Sequence, residues 1–261
     1  MAKRRSTIRS SFAPASRRPQ SPDGTRVSNH LLAALPVEEY TRLIPTLDVV
    51  PLILKKVMHK PGERVEQVYF PGGGFCSELA VLSDGTMVEV ATVGREGVVG
   101  VAAVLDGGRV PSITMVQAAT DTCYRMTASA FRAEMDRRAV FYELVMRYAQ
   151  AHLGIIMQST ACNAVHVVEQ RLARWLLMAH DRVEKDQFPL TQEFVAMMLG
   201  VARPTVSVVA GTLQKAGLIT YRHGQVTIVD REKLEGASCE CYRTATELLR
   251  DVTAISRRSQ E

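Results

Sequence analysis

Four textures of apolar and polar positions follow one another along this chain. Residues 28–44 carry a short helical pattern, with Leu31, Leu32, Leu35, Tyr40, Leu43 and Ile44 as the apolar stripe. Ser28 or Asn29 can cap it, and Pro36 divides it into two short helices. From Leu47 to about Arg125, short apolar runs alternate with turn signals such as Lys60-Pro61-Gly62, Asp84-Gly85 and Gly94-Arg95-Glu96-Gly97. Met87 to Val93 alternates with period two directly after Asp84-Gly85, as one arm of a hairpin does. Many short strands at this spacing predict a small antiparallel barrel or sandwich. From Phe131 to Thr160 the chain has almost no Gly or Pro and reads as one long helix. Phe141, Leu144, Val145, Tyr148, His152, Ile155, Ile156 and Ser159 fall near 3.5-residue spacing on it. Such a stripe is commonly a core face. The helix is long enough for a dimer seam, and that is the reading we carry forward for these eight residues.

Residues 191–213 carry the most specific pattern. With Gln192 as position 1 of a helix-turn-helix, Ala196 takes position 5, where a second helix crosses close by and only a small residue fits. Gly200 takes position 9, where the turn needs a left-handed backbone. Val195, Leu199, Val201, Val206 and Val209 take the positions at which two crossed helices pack. Pro204 suits the first turn of a second helix running over about 204–216. Val206, Val209, Ala210 and Leu213 then face inward, leaving Arg203, Pro204, Thr205, Ser207 and Val208 toward a DNA groove. An arginine there can bind the O6 and N7 of guanine, and Thr205 and Ser207 can reach bases or phosphates. Thr191, Gln192 and the N–H groups after them make a helix start suited to a phosphate, with Lys215 as a further backbone contact. Leu218 to Tyr221 and Val226 to Val229 flank Arg222-His223-Gly224-Gln225, which makes a hairpin. Helix-turn-helix plus hairpin is a winged helix, with Arg222 and His223 at the wing tip as phosphate contacts.

Composition sharpens this. The chain has 261 residues and a net charge of +5. Residues 1–28 hold seven basic residues against Asp23 and so account for +6, while 29–161 carry −2 and 162–261 carry +1. The basic balance therefore belongs to an Arg- and Ser-rich first segment that reads as a disordered arm. Its prolines, Pro14, Pro19 and Pro22, argue against a targeting helix. The local charge from Gln187 to His223 is +2 (Arg203, Lys215 and Arg222 against Glu193). No run of 18 apolar residues predicts a membrane span, so no membrane partner is expected. Five scattered cysteines make no disulfide scaffold and fit a reducing cytoplasm.

A glycine-punctuated barrel, then a long helix, then a winged helix resembles the Crp/Fnr family of bacterial transcription regulators, over about residues 29–235. Val168 to Leu177 looks like the helix that opens the family's DNA-binding domain, and Thr191…Gly200-Val201-Ala202-Arg203-Pro204-Thr205-Val206-Ser207 looks like its helix-turn-helix. The resemblance implies an α+β chain: an N-terminal antiparallel β-roll or jelly-roll barrel, a long dimerisation helix and a C-terminal winged helix. The corresponding segments are a basic arm over 1–28, a sensory barrel over 29–130, the helix over 131–161, the winged helix over 162–235 and a helical tail over 236–261. It places Arg203 at the guanine-reading position and Thr191 at the phosphate. It also implies a homodimer on palindromic double-stranded DNA, hinged near Cys162-Asn163-Ala164, with RNA polymerase as a partner. Where cyclic-AMP-binding members carry a ribose-holding glutamate and a phosphate-holding arginine, this chain has Val101 and Pro111. Arg109 and Ser112 lie nearby and, with Val101, mark a possible effector pocket, but cyclic AMP is not expected to bind tightly. The first segment has no cysteine for the iron–sulfur cluster of the oxygen-sensing branch.

No metal or cofactor is assigned from sequence. Cys239-Glu240-Cys241 can chelate a soft metal or oxidise, but no further Cys or His lies near it in the chain, and two cysteines at a helix start is the blander account. His30, His59, His152 and His166 are each singly placed. Gly72-Gly73-Gly74 lacks the Lys-Ser/Thr of a phosphate loop. No catalytic triad, zinc or nucleotide-hydrolysis signature points to an enzyme. The alternative to a DNA-reading regulator is a ligand-binding signalling module without DNA readout. If the first segment supplies only charge, deleting residues 1–28 flattens the dependence of DNA affinity on salt and leaves sequence preference unchanged. Binding isotherms at several salt concentrations check this, and a changed preference contradicts it.

Overall fold

The computed structural model describes residues 26–105 and 108–254. The basic arm before Arg26 lies outside the described residues. Helices α1 (His30–Ala33) and α2 (Val37–Leu43) open the chain on either side of Pro36. Asn29 is the cap: its side chain accepts from the N–H groups of Leu31 and Leu32 and donates to the carbonyls of Pro71 and Gly97. This small buried amide therefore fixes the entry helix to two barrel loops at once.

Seven strands follow: β1 (Asp48–Leu52), β2 (Val57–His59), β3 (Gln67–Pro71), β4 (Phe75–Val81), β5 (Met87–Val93), β6 (Ile113–Ala118) and β7 (Thr120–Thr127). They form two antiparallel sheets, ordered β1-β7-β3 and β2-β6-β4-β5. The alternation at Met87 to Val93 pairs β5 with β4 around Asp84-Gly85, with Val81 opposite Met87. Val68, Phe70, Cys76, Val93, Val99, Val116 and Tyr124 fill the space inside, together with α1 and α2.

The long helix of the sequence reading is two helices. Arg138 takes a left-handed backbone (φ 54°) and separates α3 (Ala128–Asp136) from α4 (Val140–Val165). Ala139 offers no side-chain cap to α4. The carboxylate of Glu39, on α2, accepts from the N–H groups of Val140 and Phe141 instead, each at 3.1 Å. A negative charge at a helix start is favourable, so this contact both begins α4 and ties it to the entry helices. Phe70, Phe131 and Phe141 meet here with ring centroids 5.7–6.3 Å apart.

The burial of α4 removes seven of the eight residues from the dimer-seam assignment. Phe141, Leu144, Val145, Tyr148, His152, Ile155 and Ser159 are buried inside the chain itself. Barrel residues cover this face, with His152 bonded to Glu78 of β4, and so does the terminal helix, whose Leu248 lies against Gly154. Ile156 is half-buried and belongs to a different face. Met146, Leu153 and Met157 are the exposed apolar residues of that face, 40 %, 58 % and 65 % exposed. Tyr142, Met146, Ala149, Leu153, Ile156 and Thr160 repeat along it at alternating steps of four and three. A core stripe and a seam share the same 3.5-residue period, so periodicity cannot say which of two apolar faces meets the rest of the chain.

Beyond α4 come α5 (Val168–Val183), β8 (Gln187–Pro189), α6 (Gln192–Leu199), α7 (Arg203–Lys215), β9 (Ile219–Arg222), β10 (Gln225–Ile228), α8 (Arg231–Ala237) and α9 (Cys241–Ala254). The break between α4 and α5 falls at His166-Val167, just beyond the expected Cys162-Asn163-Ala164, because α4 continues to Val165. Strands β8, β10 and β9 form a small three-stranded sheet. Leu172, Leu176, Val195, Leu199, Val206, Val209, Leu213 and Val226 form the core between it and α5–α7.

Candidate nucleic-acid interface

The interface is built from two short helices and a tight turn. Thr191 caps α6, its hydroxyl accepting from the N–H of Phe194 at 3.2 Å. Gly200 ends α6 in the left-handed region (φ 61°), and the chain re-enters a helix at Arg203, 104° from the first. That crossing lies in the helix-turn-helix range. Arg171 of α5 donates to the Leu199 carbonyl, which would otherwise be an open acceptor at the end of α6. Pro204 stands in the first turn of α7, where its missing N–H costs nothing.

Helix α7 buries Val206, Val209, Ala210 and Leu213 and turns its other face outward. Arg203, Pro204, Ser207, Val208 and Lys215 are exposed, and Thr205 is half-exposed. The guanidinium of Arg203 bonds Glu193 of α6 at 3.0 Å, and both side chains are 62 % exposed. An exposed pair of this kind contributes at most about 1 kcal/mol, so the arginine is readily released to a stronger partner. Ser207 donates to Gln192 at 2.6 Å across the two helices. At the wing, His223 (φ 50°) and Gly224 (φ 71°) both take left-handed backbone, as a two-residue hairpin turn requires. Arg222 and His223 are exposed there. The predicted DNA-facing residues are thus gathered on the outward side of α7, at the start of α6 and on the wing. Glu193, the acidic partner of Arg203, was not singled out from sequence, although the nine residues between them span the turn of the helix-turn-helix.

The expected effector residues do not converge in the same way. Val101 is half-buried and opens a short 3₁₀ turn over Val101–Val104. Ser112 is half-buried before β6. Arg109 is exposed and donates to the Gly62 carbonyl, so it is a loop clasp and not a buried anion partner. The ring of His59, buried, stands against Gly100 and bonds the Gln67 carbonyl at 3.1 Å. Burial holds the pKa of His59 below its ordinary value, which favours the neutral ring.

The barrel and the winged helix touch directly. Phe75 of β4 packs edge-on against Trp175 of α5 at 6.1 Å, and Trp175 in turn meets Phe194 of α6 at 6.2 Å. Gly200 presses against Val88 of β5. Two barrel carboxylates sit half-buried in this joint. Glu96 pairs with Arg182 of α5 at 2.6 Å and also accepts from the Gly94 N–H. Burial alone raises the pKa of Glu96, but the attraction of Arg182 and the backbone donors outweigh it and leave the group below its ordinary value. Glu89 accepts from the Trp175 indole at 2.7 Å and from the Ser77 hydroxyl. Here burial wins over those bonds and over the attraction of Arg174 and Arg182, and the pKa rises to about 7.

A β-roll joined through a long helix to a winged helix makes a two-part architecture. Residues 170–237 match the model of the Crp-like helix-turn-helix domain. A putative Crp/Fnr-family transcriptional regulator from Eubacterium rectale aligns at a TM-score of 0.62, with 16% identity, covering 80% of this chain and 97% of that one. A CRP-family regulator from Thermus thermophilus aligns at 0.58, with 21% identity, covering 75% and 96%. FixK2 from Bradyrhizobium japonicum aligns at 0.57, with 17% identity, covering 74% and 98%. No curated protein matches the sequence. The C-terminal part of this chain is a Crp-like helix-turn-helix domain, and the fold that carries it is that of the Crp/Fnr-type transcriptional regulators.

The joint makes stability depend on pH with a definite sign. Glu89 has a folded pKa of about 7 against an ordinary 4.5. Its contribution is full below the unfolded value and is lost as pH rises through about 7. Glu89→Gln keeps the shape without the charge, so it should flatten the loss of stability between about pH 4.5 and 8, most of which falls below pH 7. It should raise the midpoint at pH 8 by about 2–4 °C for each kcal/mol gained. Thermal unfolding of both proteins across that range checks this, and parallel curves contradict it.

Proposed function

We propose that this chain is a homodimeric, sequence-specific DNA-binding transcription regulator that reads a palindromic promoter site with α7. The exposed Arg203 at the start of that helix carries the reading, held only by an exposed carboxylate and surrounded by Thr205, Ser207 and Val208. In the major groove the guanidinium would exchange Glu193 for the O6 and N7 of a guanine. Thr191, Gln192, Lys215, Arg222 and His223 would set the register on the phosphates. Val208, where a second polar reader could stand, would meet a base only through apolar contact, such as a thymine methyl.

The dimer that a palindrome requires is assigned to the free face of α4, the row Tyr142, Met146, Ala149, Leu153, Ile156 and Thr160. A second copy of the same helix supplies a matching apolar row. The barrel reaches the reading helices through Glu89, Glu96 and Phe75, so a signal that shifts β4 or β5 would shift the winged helix with it. The reading includes RNA polymerase as the partner at the promoter and the cytoplasm as the compartment. It does not include cyclic AMP as the signal, since Arg109 is already engaged outside the barrel. Neither an iron–sulfur cluster nor catalysis enters the reading.

Two substitutions test it. Arg203→Ala should weaken binding to the preferred site by about 1–3 kcal/mol and relax the preference at the guanine. Unchanged affinity would mean that α7 does not read DNA, as in a signalling module without DNA readout. Leu153→Glu should turn the dimer into monomers at micromolar concentration by sedimentation, while a buried-face change would unfold the chain. A dimer that persists would place the seam elsewhere.

A further inference from the structure

The structure brings four soft-metal ligands together at the joint between α4 and the DNA-binding domain. Cys162 is buried on the last turn of α4, and His166 is the residue that ends that helix. Cys239 and Cys241 are buried at the turn between α8 and α9. The three sulfurs and one imidazole nitrogen all lie within 4.8 Å of one another. The Cys162 and Cys239 sulfurs are 3.6 Å apart, and Cys241 Sγ is 3.5 Å from His166 Nδ1. A tetrahedron with metal–sulfur arms of about 2.3 Å has edges of about 3.8 Å, slightly less where a nitrogen replaces a sulfur. Those two separations have the length that the edges of a tetrahedron around a single ion would have. They are much longer than the sulfur–sulfur bond of a disulfide, about 2.05 Å. A multi-iron cluster spreads its ligands over the corners of a cage and needs them further apart.

The surroundings match that use. The Nε2 of His166 meets the carboxylate of Glu240 at 3.3 Å, which leaves Nδ1 facing the sulfurs. A carboxylate behind a histidine ligand fixes its ring and raises its basicity. Gln158 donates to Cys241 Sγ at 3.1 Å. Three thiolates and one dication leave a net charge of −1, which needs a cation nearby if it is buried. Arg171 and Arg174 of α5 are both buried and both act electrostatically on Cys162. The Nε atoms of both arginines have no hydrogen-bond partner. An open groove lined by Glu235, Ser238, Cys239, Glu240 and Arg243 gives an ion a way in from solvent.

We propose that Cys162, His166, Cys239 and Cys241 form a four-coordinate site for one thiophilic divalent cation of the zinc class, stapling the hinge before α5 to the start of α9. Binding replaces the thiol protons by the metal without any change of oxidation state, so no oxidant or reductant takes part. With all four positions filled by protein, the ion is structural and leaves no place for substrate. It fixes the angle at which the DNA-binding domain leaves α4.

The full-length chain, purified after growth with added zinc, should carry about one zinc per chain by mass spectrometry of metals. Cys239→Ser should lower this to near zero, whereas Cys123→Ala, remote from the cluster, should leave it unchanged. Glu240→Gln should weaken zinc affinity about 10- to 100-fold without removing a ligand. Because a cysteine variant can misfold, the wild-type chain gives the independent readout. Titration of reduced, metal-free protein with cobalt(II) should produce thiolate-to-metal charge transfer and the intense visible bands of a tetrahedral ion. A folded chain that binds neither zinc nor cobalt overturns the proposal. So does an iron–sulfur absorption spectrum, or a Cys162–Cys239 disulfide found by peptide mapping of the isolated protein.

Discussion

A carboxylate drawn largely out of water has to find a partner, and in this chain two of them find it across the joint between the barrel and the winged helix. A partner lost from such a place costs more than a surface ion pair contributes, because the carboxylate is left desolvated. Glu96 reaches Arg182 and Glu89 reaches Trp175, and both pairs run from the barrel to the same face of α5. A slide of α5 by one turn would strand both carboxylates among apolar side chains. The contact between the two halves is therefore held in one register, and the position of α6 and α7 follows from it. The aromatic row Phe75, Trp175 and Phe194 adds apolar area, which is less particular about register.

Helix α4 is the second shared element, and its two faces answer to different demands. One face is spent inside the chain on the barrel and α9. The other leaves Met146, Leu153 and Met157 in solvent, which is an unusual grouping of large apolar side chains for one face of a helix. A second copy covers that face in the dimer we propose. The capping of α4 by Glu39, from a helix a hundred residues earlier, ties the entry helices to the start of the long helix.

The helix-turn-helix was legible in the sequence because its geometry leaves few choices. Gly200 needs a positive φ, Ala196 must be small, and the packing valines sit at fixed offsets. The hairpin at His223-Gly224 was legible for the same reason. The α4 seam was not, since an apolar repeat tells that a face is covered and not by what. The break at Arg138 carries no Gly or Pro to announce it. The four-ligand cluster was half visible: Cys239 and Cys241 stood out as a pair, but Cys162 and His166 lie more than seventy residues earlier. Only the packing of α9 along α4 joins them. Glu89 likewise looked like one polar position in an alternating strand until α5 was seen to lie over it.

In the function proposed above, two copies of this chain read DNA together through α7. Selection of bound fragments from a pool of random duplexes by the full-length protein tests it most directly. A dimer reading through α7 should enrich one inverted repeat, its half-sites about 34 Å apart along the duplex and a guanine in each. Enrichment of a single unpaired half-site, or of no sequence above the starting pool, would contradict it.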